Sequence, residues 1–217
     1  MMRLVTMLVL GGLLLSTQVA AAGPFGPASP PEDGLNLGLG YHYSSADLDQ
    51  GGATLKQHQL YARLGLGLSE ALEIYLRGGT ANLEIEDFDD SAALFLGGGM
   101  KGLILQRRNF DLGAFVDGSV FGDYEDNGTE VTGLYDLNAG LTLETVIEGA
   151  RLYAGPVFFI REMDVEAQNG SSDSVEEDGN VGGFIGASWR IKDRYNINVE
   201  AQFKTDFSGG IEVLYNY

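Results

Sequence analysis

The sequence has no cysteine, which excludes disulfides, thiolate metal sites and a lipid-modified N-terminal cysteine. It has two histidines, His42 and His58, so acid–base catalysis has few candidates. Basic residues are scarce: 13 Lys and Arg stand against 31 Asp and Glu, a net charge of −18. That balance excludes nucleic acid as a partner, because phosphate binding needs a basic surface. Proline is rare too, and four of the five lie together at Pro24, Pro27, Pro30 and Pro31. The apolar run Leu4 to Leu15 is short of a membrane-spanning helix. There is no P-loop, no dinucleotide fingerprint and no His-Glu-x-x-His. Disorder is excluded as well, since only 20% of residues are charged and 44% are apolar.

What is present begins with an export signal. Met1-Met2-Arg3 is a basic start, Leu4 to Leu15 is the apolar core, and Ala20, Ala21 and Ala22 offer a small-residue cleavage site. Cleavage is expected after Ala22, with Ala21 second, making residues 1–22 a Sec signal peptide. The proline-rich stretch 23–33 reads as an extended periplasmic leader. The remainder, 34–217, is the structured domain, with a mature chain of 12 basic and 31 acidic residues.

Within 34–217 the dominant signal is alternation with period two. Its clearest instance is the last stretch, where Ile211, Val213, Tyr215 and Tyr217 share one face. Ten such segments occur, near 35–43, 59–68, 72–85, 93–103, 110–121, 131–144, 152–161, 181–191, 196–204 and 211–217. Each has about the nine to twelve residues that a tilted strand needs to cross hydrocarbon. Short connections alternate with long acidic ones, and aromatic residues gather at segment ends, with Tyr41, Tyr43 and Tyr135 at one level and Phe110, Trp189, Tyr195 and Tyr217 at the other. The expectation is an all-β fold, a closed antiparallel up-and-down transmembrane β-barrel of ten strands, with eight or twelve as alternatives. A soluble lipocalin-like barrel or sandwich is the rival; it would bury the apolar face instead. Pro156, inside the seventh segment, is expected to force a bulge, because a closed sheet has no free edge.

Over Gly34 to Tyr217 this pattern resembles the small bacterial outer-membrane β-barrel proteins, the OmpA-like and porin-like group. The most specific element is the closing strand, in which Ile211, Val213, Tyr215 and Tyr217 match the family's assembly signal; family members usually end on Phe, so Tyr217 departs mildly. The resemblance implies the outer membrane of a bacterial cell, lipid and lipopolysaccharide as surroundings, the barrel-assembly machinery as a biogenesis partner, and a monomer.

Two groups of residues are candidates for function. The inward faces carry six bases (Arg63, Arg77, Lys101, Arg161, Arg190, Lys204) and seven acids (Glu73, Asp111, Asp117, Asp136, Glu144, Glu200, Glu212). Near balance predicts a paired plug, because an unpaired charge in a narrow lumen is costly. The alternative is a cation-selective pore lined by Arg63, Arg77, Asp117 and Asp136. The long connections are rich in acids, and Asp87, Asp89, Asp90, Glu176, Glu177 and Asp178 are the candidate ligands for Ca²⁺ or Mg²⁺. No other cofactor is expected. His42 and Ser44 resemble the His-x-Ser element of outer-membrane lipid A deacylases, although Ser45 stands where that family has Asn, and the motif lies in the first strand. Omptin proteases also have ten strands, but Asp89-Asp90 lacks their Asp-x-His. The expected function is a non-catalytic barrel with acidic loops, in a structural or surface-interaction role.

Overall fold

The computed structural model describes residues 24–30, 34–48, 54–85, 88–126, 129–166, 172–177, 179–192 and 194–217. Residues 1–22 lie outside them. Alternation becomes strand wherever it was read, giving β1 (Gly34–Asp47), β2 (Thr54–Ser69), β3 (Leu72–Ile85), β4 (Phe88–Gln106), β5 (Asp111–Phe121), β6 (Tyr124–Asp126), β7 (Thr129–Ile147), β8 (Ala150–Glu166), β9 (Ser172–Glu176), β10 (Val181–Ile191), β11 (Tyr195–Phe203) and β12 (Phe207–Asn216). Strands β6 and β9 are short additions of three and five residues. The other ten form a closed antiparallel ring in which every stave pairs with two neighbours. The ring is joined where β1 meets β12, with Leu37 opposite Tyr215, Leu39 opposite Val213 and Tyr41 opposite Ile211. The Tyr217 N–H extends that seam by donating to the Leu35 carbonyl at 3.0 Å.

The two faces of the wall have opposite chemistry. Leu39, Leu64, Leu76, Leu94 and Val213 point outward and are exposed, whereas Arg63, Glu73 and Glu200 are buried inside. A soluble barrel would have the reverse. Inside, large and small residues interlock. The Tyr61 ring lies over Gly40 and the Tyr153 ring over Gly186, so that a Cβ at either glycine would collide with the ring. Large beside small is how a tapering interior fills.

Above the apolar band the chemistry of the two faces swaps. Strands β4, β7 and β8 run 19, 19 and 17 residues, well past the nine to eleven that hydrocarbon requires. In their upper parts, and those of β2, β3 and β5, the inward positions are apolar: Leu55, Ala81, Leu83, Phe95, Phe121, Val131, Leu134 and Met163 form one buried cluster with Leu48 and Tyr124. The outward positions there are Thr54, Lys56, Glu84, Glu130, Glu162 and Asp164. A lipid-facing barrel thus continues into a dome built like a water-soluble one. The strands thus run further than the segments read from alternation: β3 and β4 stay paired as far as Ile85↔Phe88, and β6 pairs with β7.

Pro156 also differs from expectation. The β7–β8 ladder keeps one register from Tyr135↔Glu162 to Ile147↔Ala150, and only the pairs at Leu141–Thr142 and Gly155–Pro156 are missing. The strand needs no bulge, because the ladder skips the one place where proline has no N–H to give. The bulge in β7 lies instead between Thr132 and Tyr135, at Gly133 with φ of 64°.

Because Leu39 faces outward midway along β1, Leu39→Arg should destabilise the barrel in lipid vesicles by about 2–4 kcal/mol. Asn82→Arg, on the outer face of the dome, should cost less than about 1 kcal/mol. Denaturant unfolding followed by tryptophan fluorescence measures both.

Candidate functional site

The barrel interior is the only place where many chemically able side chains converge among the described residues, and it is built in storeys. At the short-turn end, Glu144 pairs with Arg151 at 3.0 Å, and Arg151 also lies 3.5 Å from Asp111. One storey up, the Arg63 guanidinium bridges Glu73 at 2.9 Å and Glu212 at 3.4 Å, and Lys101 holds the other oxygen of Glu73 at 3.5 Å. Arg63 also stacks over the Tyr75 ring at 4.3 Å. Next, Arg77 meets Asp117 at 2.7 Å and donates to the Ser119 hydroxyl at 2.9 Å, while the Tyr75 hydroxyl donates to Asp117 at 2.7 Å. Near the top, Arg161 lies 3.6 Å from Asp136 and 3.9 Å from Glu177. Lys204 donates to the Asn138 amide oxygen at 2.7 Å and sits 4.8 Å above the Phe159 ring. The apolar cluster of the dome covers this stack.

Arg63, Arg77, Asp117, Asp136, Glu200 and Lys204 therefore all face the lumen, although in different storeys. Arg190 keeps its inward parity, opposite the buried Asn196, but is exposed at the short-turn mouth, where it lines a cavity of about 220 Å³ with Pro27, Pro30, Lys101, Arg151 and Asn198. Asp111 is only partly enclosed. Arg151 carries no sequence signal of its lumen role, because it lies at the start of β8 beside a turn, where parity is hard to read.

The largest difference concerns the leader. Residues 24–30 do not lie outside the barrel; they thread its short-turn half. Phe25 is buried in an aromatic cluster with Phe115, Tyr153, Phe159 and Phe184. The N–H groups of Phe25 and Gly26 donate to the two oxygens of Glu200, each at 3.0 Å. The Ala28 N–H and the Ser29 hydroxyl donate to Glu144. A proline-rich segment lacks periodicity, so the sequence does not show whether it lies in water or in a lumen.

His42 and Ser44 both face inward and are fully buried, away from lipid. Ser44 accepts a hydrogen bond from Arg161 at 3.4 Å, and neither ring nitrogen of His42 has a hydrogen-bond partner. The pair therefore lacks the nucleophile–base hydrogen bond that acyl transfer needs. The nearby strand carboxylate Glu84 points outward and lies 3.8 Å from Lys56.

At the rim, Asp87 and Asp178 lie outside the described residues, as do the side chains of Asp89 and Asp90. Glu176 is exposed. Glu177 is turned inward, where it accepts from the Thr205 hydroxyl at 2.8 Å and faces Arg161. Among the described residues no three His, Asp or Glu side chains are grouped to hold a metal ion. The dome carries carboxylates directly opposite one another instead: Glu125 faces Glu130, Glu130 faces Glu166, and Glu162 faces Glu176.

No family model matches the chain, and no curated protein does. Its fold is similar to solved structures. One is an outer membrane channel from Pseudomonas putida F1, with a TM-score of 0.54 at 11% identity over 91% of this chain and 100% of that one. Another is the translocator domain of the autotransporter NalP from Neisseria meningitidis, with a TM-score of 0.51 at 10% identity over 86% of this chain and 89% of that one. The fold is that of the bacterial outer-membrane β-barrels.

The Arg77–Asp117 pair gives a direct test of the ionic interior. Arg77→Met alone should cost about 3–5 kcal/mol, because it strands a buried carboxylate. Adding Asp117→Leu should recover most of that loss. Equilibrium unfolding of the two single variants and the double variant measures the coupling.

Proposed function

We propose that this chain is a monomeric, non-catalytic barrel of the bacterial outer membrane, closed to steady ion flow, which anchors an acidic dome at the cell surface. The observation that carries this reading is closure at both ends. The leader fills the short-turn half of the lumen, paired charges fill its middle, and the apolar cluster caps its far end. Polar ties support the cap: Leu48 bridges to Glu177 across the mouth, and the Asp47 N–H donates to the Thr205 hydroxyl. The apolar band and the aromatic residues at its two levels support membrane insertion, with Tyr41 bound to His58 at 2.7 Å on one side and Arg194 donating to Tyr215 at 2.9 Å on the other.

The facing carboxylates of the dome are a surface for cationic partners. Like charges directly opposite each other on a sheet are destabilising. The Ca²⁺ and Mg²⁺ that also neutralise lipopolysaccharide would serve as diffuse counter-ions. Glu130→Gln removes two like-charge contacts and should stabilise the barrel by about 0.2–1 kcal/mol per contact at low salt. Thermal unfolding at low and high ionic strength reads this out, and the gain should shrink as salt rises.

The rival reading is a small cation-selective pore, which the acidic mouth would favour. Planar-bilayer recording separates the two. The closed barrel passes no steady current at moderate voltage, whereas a stable, cation-selective conductance would establish the pore.

A further inference from the structure

The segment 24–30 belongs to no strand, yet the barrel wall is shaped around it. Its N–H groups and the Phe25 carbonyl meet side chains of the wall. Glu200 receives two consecutive N–H groups, from Phe25 and Gly26. Glu144 receives the N–H of Ala28, the N–H of Ser29 at 3.3 Å and the Ser29 hydroxyl at 2.6 Å. Arg151 grips the Ser29 hydroxyl at 2.6 Å, and Lys101 donates to the Phe25 carbonyl at 3.3 Å. The Phe25 ring stacks on Phe115 with centroids 4.3 Å apart and meets Phe184 edge-on at 5.4 Å. Two wall glycines make room: a Cβ on Gly113 would strike Ala28, and one on Gly210 would lie 2.8 Å from the Pro24 ring.

We propose that the lumen is a peptide-binding site, formed by Glu200, Glu144, Lys101 and the Phe115–Phe184 pocket, whose resident ligand is the chain's own segment 24–30. The site takes an extended peptide with an aromatic residue followed by glycine and small residues, and it exchanges its own segment for the same peptide supplied free.

The charge arrangement explains why the site needs an occupant. Among the described residues Glu200 has no cation within ion-pair distance; besides the two leader N–H groups it receives the Gln202 amide at 2.7 Å and faces the Tyr153 hydroxyl. Withdrawing the segment strips a buried carboxylate of both its backbone donors, which favours any ligand that restores them. The segment can leave without disturbing the ring, because no ladder hydrogen bond depends on it. The proposal deepens the closed-barrel reading at the short-turn end. Its test does not use conductance, so either idea can fail without the other.

The absence of cysteine makes the experiment simple. Pro27→Cys places a thiol on the buried segment, and Arg108→Cys places one on an exposed turn as reference. Should Pro27→Cys fail to fold, Pro30→Cys on the same cavity replaces it. In detergent-folded protein, maleimide should label the Pro27→Cys chain at least about tenfold more slowly than the Arg108→Cys chain, since labelling follows the population of the open form. Introducing Phe25→Ala into the Pro27→Cys chain should abolish the protection. A millimolar excess of free peptide of sequence 24–30 should speed labelling of the Pro27→Cys chain by at least about threefold, and the same peptide carrying Phe25→Ala should not. Labelling of the Pro27→Cys chain as fast as the reference, protection that survives Phe25→Ala, or no response to free peptide would each overturn the proposal.

Discussion

Main-chain hydrogen bonding across the seam between β1 and β12 is the constraint on which the rest depends. In hydrocarbon an unpaired N–H or C=O costs several kcal/mol, so a sheet survives there only if it has no edge. The two strands that meet are the first and the last of the sheet. Nearly 200 residues must therefore fold with consistent register before the ring can shut. Eight consecutive pairs, from Asn36↔Asn216 to Tyr43↔Gly209, accomplish this.

Closure determines where side chains can go. Ten staves leave a narrow interior, and half of all wall residues point into it. Those residues cannot be bare charges, which explains the storeys of paired guanidinium and carboxylate groups. It also accounts for the leader: Glu200 and Glu144 outnumber the cations near them and are partly satisfied by backbone N–H groups. Above the bilayer level the surroundings change from lipid to water, and the wall changes with them. Leu83 and Val131 point inward there, while Glu84 and Glu130 point out. A single ring of strands thus satisfies two solvents in succession.

Much of this was legible in the sequence, for a physical reason. Period-two alternation is unambiguous where one side is lipid, so parity alone separates Leu39, Leu64 and Val213 on the outside from Arg63, Asp117 and Glu200 on the inside. Parity says nothing about the level along a strand where polarity swaps, so it does not show that Ala81 and Leu83, apolar as they are, point inward. Nor could it place residues outside any strand. Phe25 in an aromatic pocket and Glu177 folded back onto Arg161 are products of three-dimensional closure, and no local pattern announces them. His42 and Ser44 resembled a catalytic pair because they share a face, but facing inward is what removes them from the lipid such chemistry would act on.

The most direct measurement is a register-specific cross-link at the seam. In the cysteine-free chain, Leu39→Cys with Val213→Cys places two thiols directly opposite each other, whereas Leu39→Cys with Ile211→Cys is offset by two residues. The account predicts that mild oxidation of the barrel in lipid joins the first combination within one molecule and leaves the second largely reduced. Failure of the first to close, or preferential closure of the second, would contradict it.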